Sequence, residues 1–535
     1  MPHAPLDGFV GWPKEFADRY RERGYWRGRT LGALLRERAA ATPDAVAVVD
    51  GARRWTYREL DERADRLASG LCELGLAPGD RVLVQLPNCA EFLQLAFALF
   101  RIGAVPVMTL PAHREAEIAH LAGLSEAVAY VVADTHLGFD HRPLARSVRD
   151  RVPGLRHVLV AGDAQEFTDL AELEREPQPL PEPDPSGVAL LLLSGGTTGA
   201  PKLIPRTHDD YLYNATASAA MAGLDAATRY LVALPVAHNF PLACPGVLGT
   251  LHAGGTVVMC PTPSPDVAFP LIARERITVT ALVPSLALLW LEAKDWSDDD
   301  LGSLQLLQVG GSRLQPETAR RITPELGCRL QQVFGMAEGL LNYTRLDDPQ
   351  ELILHTQGRP LAEDDDLRIV DAQDRDVPEG DPGELLVRGP YTLRGYYRAA
   401  EHNAKAFTED GYYRSGDLVR RLPSGHLVVA GRIKDVINRA GEKIPVEEVE
   451  NHLLGHPAIH DVAVIGLPDA ELGERTCACV IARGTPPQRA DLTAHLTERG
   501  LAAYKLPDEV RVLTSFPRTA LGKVDKGALI REVTE

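Results

Sequence analysis

Ser194-Gly195-Gly196-Thr197-Thr198-Gly199-Ala200-Pro201-Lys202 gathers the residue types that hold an anion. Its three glycines let backbone N–H groups turn toward a ligand at little steric cost, its two threonine hydroxyls add donors, and Lys202 adds a positive charge. The run reads as a phosphate cradle. Its spacing is not that of a Walker loop, because Lys202 follows a proline and is not followed by Ser or Thr. Three further charged residues sit in short glycine-containing segments: Glu338 in Phe334-Gly335-Met336-Ala337-Glu338, Asp417 in Tyr413-Arg414-Ser415-Gly416-Asp417, and Lys523 in the run 517–526. Each has a plain structural use when read singly. Asp417 could cap a turn, Glu338 could be a solvated carboxylate at a helix start, and Lys523 could be a routine exposed basic residue.

The elements that must position these residues follow from hydrophobic spacing. The cradle comes after an apolar run at 188–193, read as a strand buried on both faces, and before a polar segment from Thr207 that starts a helix. An α/β sheet exposes its ligand crevice at such a place. Upstream, 31–44 and 56–75 carry the spacing of two surface helices. Strand 81–86, helix 90–102 stopped by Gly103, and strand 104–109 point to parallel pairing, continued through 128–132 and 158–160. The five prolines of 176–186 make a stiff exposed connection. A second series has strands at 230–234, 256–259, 279–283 and 304–309. From 367 to 429, short strands and Gly/Pro turns predict a small β subdomain. Beyond Gly431, helix 446–454, strands 460–465 and 476–481, helix 489–498 and strand 509–513 form an α+β unit of about one hundred residues.

Composition narrows the function classes. A chain of 535 residues with 45% hydrophobic residues can bury several cores. Its net charge of -17, from 57 basic and 74 acidic residues without a basic stripe, argues against a nucleic-acid partner. The start lacks the basic and apolar regions of a secretion signal, and no apolar run approaches the ~18 residues that span a bilayer. No membrane association and a cytoplasmic location are the expectations. Seven cysteines without Cys-x-x-Cys pairs argue against a disulfide framework and a structural zinc site; Cys477 and Cys479 read as small buried thiols.

The cradle at 194–202, the segments ending at Glu338 and Asp417, the stretch 431–450 and the loop 517–526 stand in the order and rough spacing of the adenylate-forming ligase superfamily. The resemblance covers essentially the whole chain. It implies an α/β protein with a large N-terminal domain, 1–431, of two α/β subdomains plus a small β subdomain. A hinge at 432–435, with Lys434 as the pivot, and a smaller mobile α+β C-terminal domain, 436–535, complete it. It also implies ATP and Mg²⁺. An acyl adenylate forms when a carboxylate attacks the α-phosphate, so two anions must meet, and catalysis is charge neutralisation and alignment. By resemblance, Ser194, Gly195, Gly196, Thr197, Thr198, Gly199 and Lys202 hold the β- and γ-phosphates, and Gly311, Val333, Phe334 and Gly335 complete the nucleotide site. Glu338 holds Mg²⁺, Asp417 accepts from the ribose with Arg432 assisting, and Lys523 bridges carboxylate and ATP. Ala337 departs from the Thr of many members and matches the aryl-acid branch.

The segment 234–246 sets the substrate class. Amino-acid-activating members place an aspartate where this chain resembles Asn239, and a neutral amide cannot offset a buried ammonium. Asn239 can hydrogen-bond a phenolic hydroxyl ortho to a carboxylate. The segment resembles the stand-alone aryl-acid ligases of siderophore pathways, which implies an aryl-acid slot of His238, Asn239, Phe240, Cys244, Gly310, Val333 and Leu341. The dihydroxybenzoate branch carries Ser and Val where this chain has Cys244 and Leu341. A thiol is a weak partner for a 3-hydroxyl and Leu adds bulk, so salicylate is favoured. The implied acceptor is the phosphopantetheine arm of an aryl carrier protein on a separate chain; 2,3-dihydroxybenzoate as substrate, or CoA as acceptor, are the alternatives.

Overall fold

Val188–Leu193 (β1) sends Leu190 and Leu192 into one hydrophobic cluster and Leu191 into another, all three fully buried. A strand covered on both faces belongs in a parallel sheet flanked by helices, and that is its setting in the computed structural model. The structure describes residues 6–194, 201–440, 442–469, 471–519 and 522–534. The seven-stranded sheet runs Leu203–Thr207 (β2), β1, Val105–Met108, Arg81–Gln85, Ala129–Ala133, His157–Ala161 and Thr168–Asp169. Every pair in it is parallel except β1 with β2.

β2 has no counterpart in the sequence reading, which passes from the cradle directly to a helix. Pro205 hides it, and the strand tolerates that residue because it lies at the sheet edge. The helix follows as His208–Met221 (α1), with Thr207 and Asp210 closing a reciprocal capping box.

The second sheet has nine strands, and here the chain order is interwoven. Val46–Asp50 pairs in parallel with Thr256–Met259, so the first strands of the chain belong to the second sheet. The helices expected at the surface are half sunk. Tyr57, Leu60, Ala64, Leu67 and Leu71 of Tyr57–Glu73 are buried in the same cluster as the helix Ala90–Ile102.

Five elements of the second sheet and the β subdomain carry the site. They are the short helix Asn239–Ala243 (α2) and the strands Leu306–Gly310 (β3), Arg329–Gly335 (β4), Leu341–Tyr343 (β5) and Tyr413–Arg421 (β6). β3 and β4 are parallel, and β5 turns back antiparallel on β4. β6 lies in a four-stranded antiparallel sheet, paired with Leu427–Arg432 (β7).

The C-terminal unit is a separate five-stranded sheet. Along Ile459–Asp469, Val462 and Val464 face the helices Val446–Leu454 and Arg489–Glu498, while Ala463 and Ile465 face Leu529 of the last helix. Cys477 and Cys479 are buried on that second face as free thiols. Among the described residues no helix is long and apolar enough to cross a membrane.

Candidate functional site

Only the ends of the cradle are described: Gly195, Gly196, Thr197, Thr198 and Gly199 lie outside the described residues. Those ends are tied together, with Lys202 N donating to Ser194 Oγ at 3.0 Å and Ser194 N to Lys202 O at 2.9 Å. The β1–β2 ladder thus continues into the loop mouth and fixes its span.

Asp417 and Arg432 meet because of strand register. They are opposite partners on β6 and β7, and Arg432 Nε donates to Asp417 Oδ1 at 2.8 Å. Asp417 is only 4% exposed. Burial pushes its carboxyl up, and the Arg432 guanidinium opposes that. Glu338 follows β4 and is also buried. Its Oε1 accepts from Tyr396 OH at 2.8 Å, and Tyr396 OH lies 2.9 Å from Tyr413 OH at the start of β6. Burial raises the Glu338 carboxyl despite the Tyr396 hydrogen bond.

Lys523 comes from the far end of the chain. Gly522 takes a φ of +80°, its N–H donates to Thr519 O at 2.8 Å, and Thr519 N donates to Lys523 O at 2.7 Å. The resulting hairpin is braced by Arg518, which donates to Gly522 O and to Asp461. Across the gap between units, Ser285 Oγ donates to Gly522 O at 3.2 Å. The lysine then lies against Gly311, where an added Cβ would stand 3.3 Å from Lys523 Cε. Gly311 is itself at φ +87°, just beyond β3. Burial and Arg432 push the Lys523 ammonium down to about 8, while Asp417 and Glu338 favour its charged form. His238 also feels the lysine: burial, then Lys523, pushes its imidazole down to about 3.

The predicted aryl-acid residues converge. A Cβ on Gly310 would stand 2.6 Å from Val333 O and 3.1 Å from Phe240 Cζ, so only glycine lets the Phe240 ring lie against β3. On the next strand a Cβ on Gly335 would meet Leu341 Cδ2 at 2.3 Å. Phe240, Cys244, Val333 and Leu341 share one buried cluster. His238 caps α2, its Nδ1 accepting from Phe240 N at 3.3 Å. Asn239, 6% exposed, donates through Nδ2 to Cys244 Sγ at 3.4 Å. Phe334 is held by Asn342, whose Nδ2 donates to Phe334 O at 3.1 Å.

Three residues of the site escape the sequence reading, which takes the chain from Thr207 only as a polar segment starting a helix and has no strand at 203–207. Tyr211 and Asn214 of α1 are fully buried, Tyr211 OH donating to Asn239 Oδ1 at 2.9 Å and Asn214 Nδ2 to Ala243 O at 2.7 Å. Arg206 of β2 pairs with Asp210, with its guanidinium carbon 4.8 Å from the Tyr211 ring centre, and donates to Ala337 O at 3.0 Å. The available signal was spacing. Tyr211, Asn214 and Ser218 recur at helical intervals, and all face the core. The predicted pivot Lys434 lies in a single turn, Ile433–Asp435; its side chain is outside the described residues.

Comparison with known proteins assigns the family. Residues 35–397 match the family of AMP-binding enzymes, and 448–523 match the AMP-binding enzyme C-terminal domain. A 2,3-dihydroxybenzoate-AMP ligase of Bacillus subtilis is 57% identical, covering 99% of this chain and 98% of its own. A salicyl-AMP ligase / salicyl-S-ArCP synthetase of Mycobacterium tuberculosis is 53% identical, covering 99% and 96%. Among solved structures, the apo MbtA of Mycobacterium smegmatis is 54% identical with a TM-score of 0.77, covering 98% of this chain and 99% of its own. ATP-bound MatB of Rhodopseudomonas palustris, 26% identical, superposes with a TM-score of 0.86 over 95% of this chain and 99% of its own. On these matches, spanning both the sheets and the unit that carries Lys523, the chain belongs to the AMP-binding enzyme family and is an adenylate-forming ligase.

Proposed function

We propose that the protein activates salicylate to salicyl-AMP with release of pyrophosphate, then passes the acyl group to the phosphopantetheine thiol of a separate aryl carrier protein in siderophore assembly. The observation that carries this reading is the neutral Asn239 amide beside the Cys244 thiol, in a slot of Phe240, Val333 and Leu341. An ammonium would find no counter-charge there. The similarity to aryl-acid-AMP ligases at 53–57% identity supports the same class.

In the first step a substrate carboxylate oxygen bonds to the α-phosphorus of ATP, and the bond from that phosphorus to the bridging oxygen of pyrophosphate breaks. Lys523 offsets the charge of both anions as they meet. Asp417 accepts from the ribose hydroxyls, and Arg432 holds its carboxylate in place. The cradle, with Lys202, holds the departing phosphates. Magnesium takes one or two carboxylates plus substrate phosphates. Glu338 fits that demand: it is a buried carboxylate near Asp417, and Tyr396 engages its Oε1. Glu338 would therefore hold the ion, which when bound neutralises phosphate charge. The lobe 436–535 then turns about 432–435, at Lys434, to admit the thiol.

The reactive state requires a protonated Lys523, whose free-enzyme value is depressed to about 8. The sign follows: kcat/KM for ATP is at its plateau below that value and falls as pH rises through it. A pH profile flat to pH 10 would contradict the lysine's role.

A second reading, 2,3-dihydroxybenzoate as substrate, is favoured by the name of the 57% identical relative. Cys244 decides between them. Replacing its thiol by a hydroxyl supplies a good partner for a 3-hydroxyl, so Cys244→Ser should raise the kcat/KM ratio of 2,3-dihydroxybenzoate to salicylate about tenfold. An unchanged ratio counts against the slot as drawn. The acceptor is tested by offering holo aryl carrier protein and CoA together with ATP and salicylate, and reading the thioester by mass spectrometry. A carrier-bound salicyl group is expected; salicyl-CoA alone would assign a CoA ligase.

A further inference from the structure

The Asn239 amide can turn either its oxygen or its NH2 toward the slot, and two contacts decide which. From α1, Tyr211 OH donates to Asn239 Oδ1 at 2.9 Å. From the end of α2, the Cys244 thiol gives its hydrogen to the backbone carbonyl oxygen of Asn239 at 3.4 Å, which leaves Sγ to accept from Asn239 Nδ2 at 3.4 Å. Asn214 Nδ2 approaches the same sulfur at 3.8 Å, so Sγ faces amide donors on two sides. Turning the Asn239 amide over would set its oxygen against those sulfur lone pairs. It would also leave the buried Tyr211 hydroxyl hydrogen without its acceptor, and such a loss costs more than the bond itself is worth. Burial holds the Tyr211 phenol well above its usual range, so it stays a donor across working pH.

One N–H of the Asn239 amide goes to Sγ, and among the described residues no hydrogen bond engages its second, which leaves that donor for a ligand. An ortho-hydroxyl beside a carboxylate commits its hydrogen internally and keeps oxygen lone pairs free to accept. An ortho-amine does not match. Its nitrogen lone pair is delocalised into the ring, and its spare N–H would face the amide N–H, donor against donor. We infer that Tyr211, acting with Cys244, is a specificity-determining residue that fixes the Asn239 amide as a donor and so selects 2-hydroxy over 2-amino aryl acids. The inference rests on the aryl-acid reading above. Arg206, stacked on the Tyr211 ring, holds that ring in place.

The test is ATP–pyrophosphate exchange with salicylate and with 2-aminobenzoate, on the wild type and on Tyr211→Phe, with the KM for ATP measured alongside. The wild type should prefer salicylate by about a hundredfold or more in kcat/KM. Tyr211→Phe should narrow that preference by about tenfold, with KM for ATP unchanged. A merely structural defect would lower both substrates together and leave the ratio where it was. If Tyr211→Phe melts below the assay temperature, Cys244→Ala removes the other contact on the same amide and should narrow the ratio in the same direction. A wild-type ratio near one, or a ratio unmoved in a folded variant that still uses salicylate, overturns the inference. A wild type that activates neither benzoate overturns the aryl-acid reading and this inference with it.

Discussion

Lys523→Ala is expected to lower ATP–pyrophosphate exchange by about 10²–10³-fold while the melting temperature holds. One preorganised donor aimed at developing charge in a water-poor site is worth on the order of 3 to 4 kcal/mol, which sets that range. Lys523 lies against Gly311, among Asp417, Glu338 and Arg432, and its hairpin is shaped by backbone contacts and Arg518 rather than by the ammonium. The fold does not depend on its charge: a lysine pushed down to about 8 is held in its charged form at a cost below that pH, so its removal spares stability. On the proposed turn of the small lobe, which would withdraw the lysine, transfer of salicyl from supplied salicyl-AMP to a carrier thiol should fall far less. Undiminished exchange would remove Lys523 from the reaction.

The largest expected effect on stability is at Arg206. Its side chain and that of Asp210 are both 0% exposed, with Nε donating to Oδ1 at 2.7 Å. Breaking a buried pair by deleting one partner strands a charge and costs about 3–5 kcal/mol. Arg206→Met should therefore bring the guanidinium midpoint sharply down and free the Ala337 carbonyl beside Glu338. Adding Asp210→Asn should restore part of the loss, since a neutral amide removes the stranded charge and keeps an oxygen for the Thr207 N–H at the start of α1. If the single variant unfolds at the wild-type midpoint, the pair is not a support of this site.

Much of the site was legible in the chain because its chemistry is carried by charged residues beside glycines. Gly310, Gly311 and Gly335 leave room for Phe240, Lys523 and Leu341, and at Gly310 a Cβ would run into the Val333 carbonyl as well. The strands were legible where runs such as 188–193 are apolar throughout. Partnership between strands was not, because periodicity fixes which face of a strand is buried and says nothing of its neighbour. Val46–Asp50 therefore joins the second sheet without any local sign. Pro205 concealed β2, and the polar character of α1 concealed Tyr211 and Asn214, whose burial is a tertiary fact. Lys523 reads as an ordinary basic turn until Gly311 is seen beneath it. Gly195, Gly196, Thr197, Thr198 and Gly199 of the cradle lie outside the described residues.

The most direct measurement is ATP–pyrophosphate exchange by the full-length protein against salicylate, 2,3-dihydroxybenzoate, a fatty acid and a panel of α-amino acids. Exchange that depends on a 2-hydroxybenzoate and stays at background with the amino acids is predicted. Exchange supported by an α-amino acid or a fatty acid, with none from either hydroxybenzoate, would contradict it.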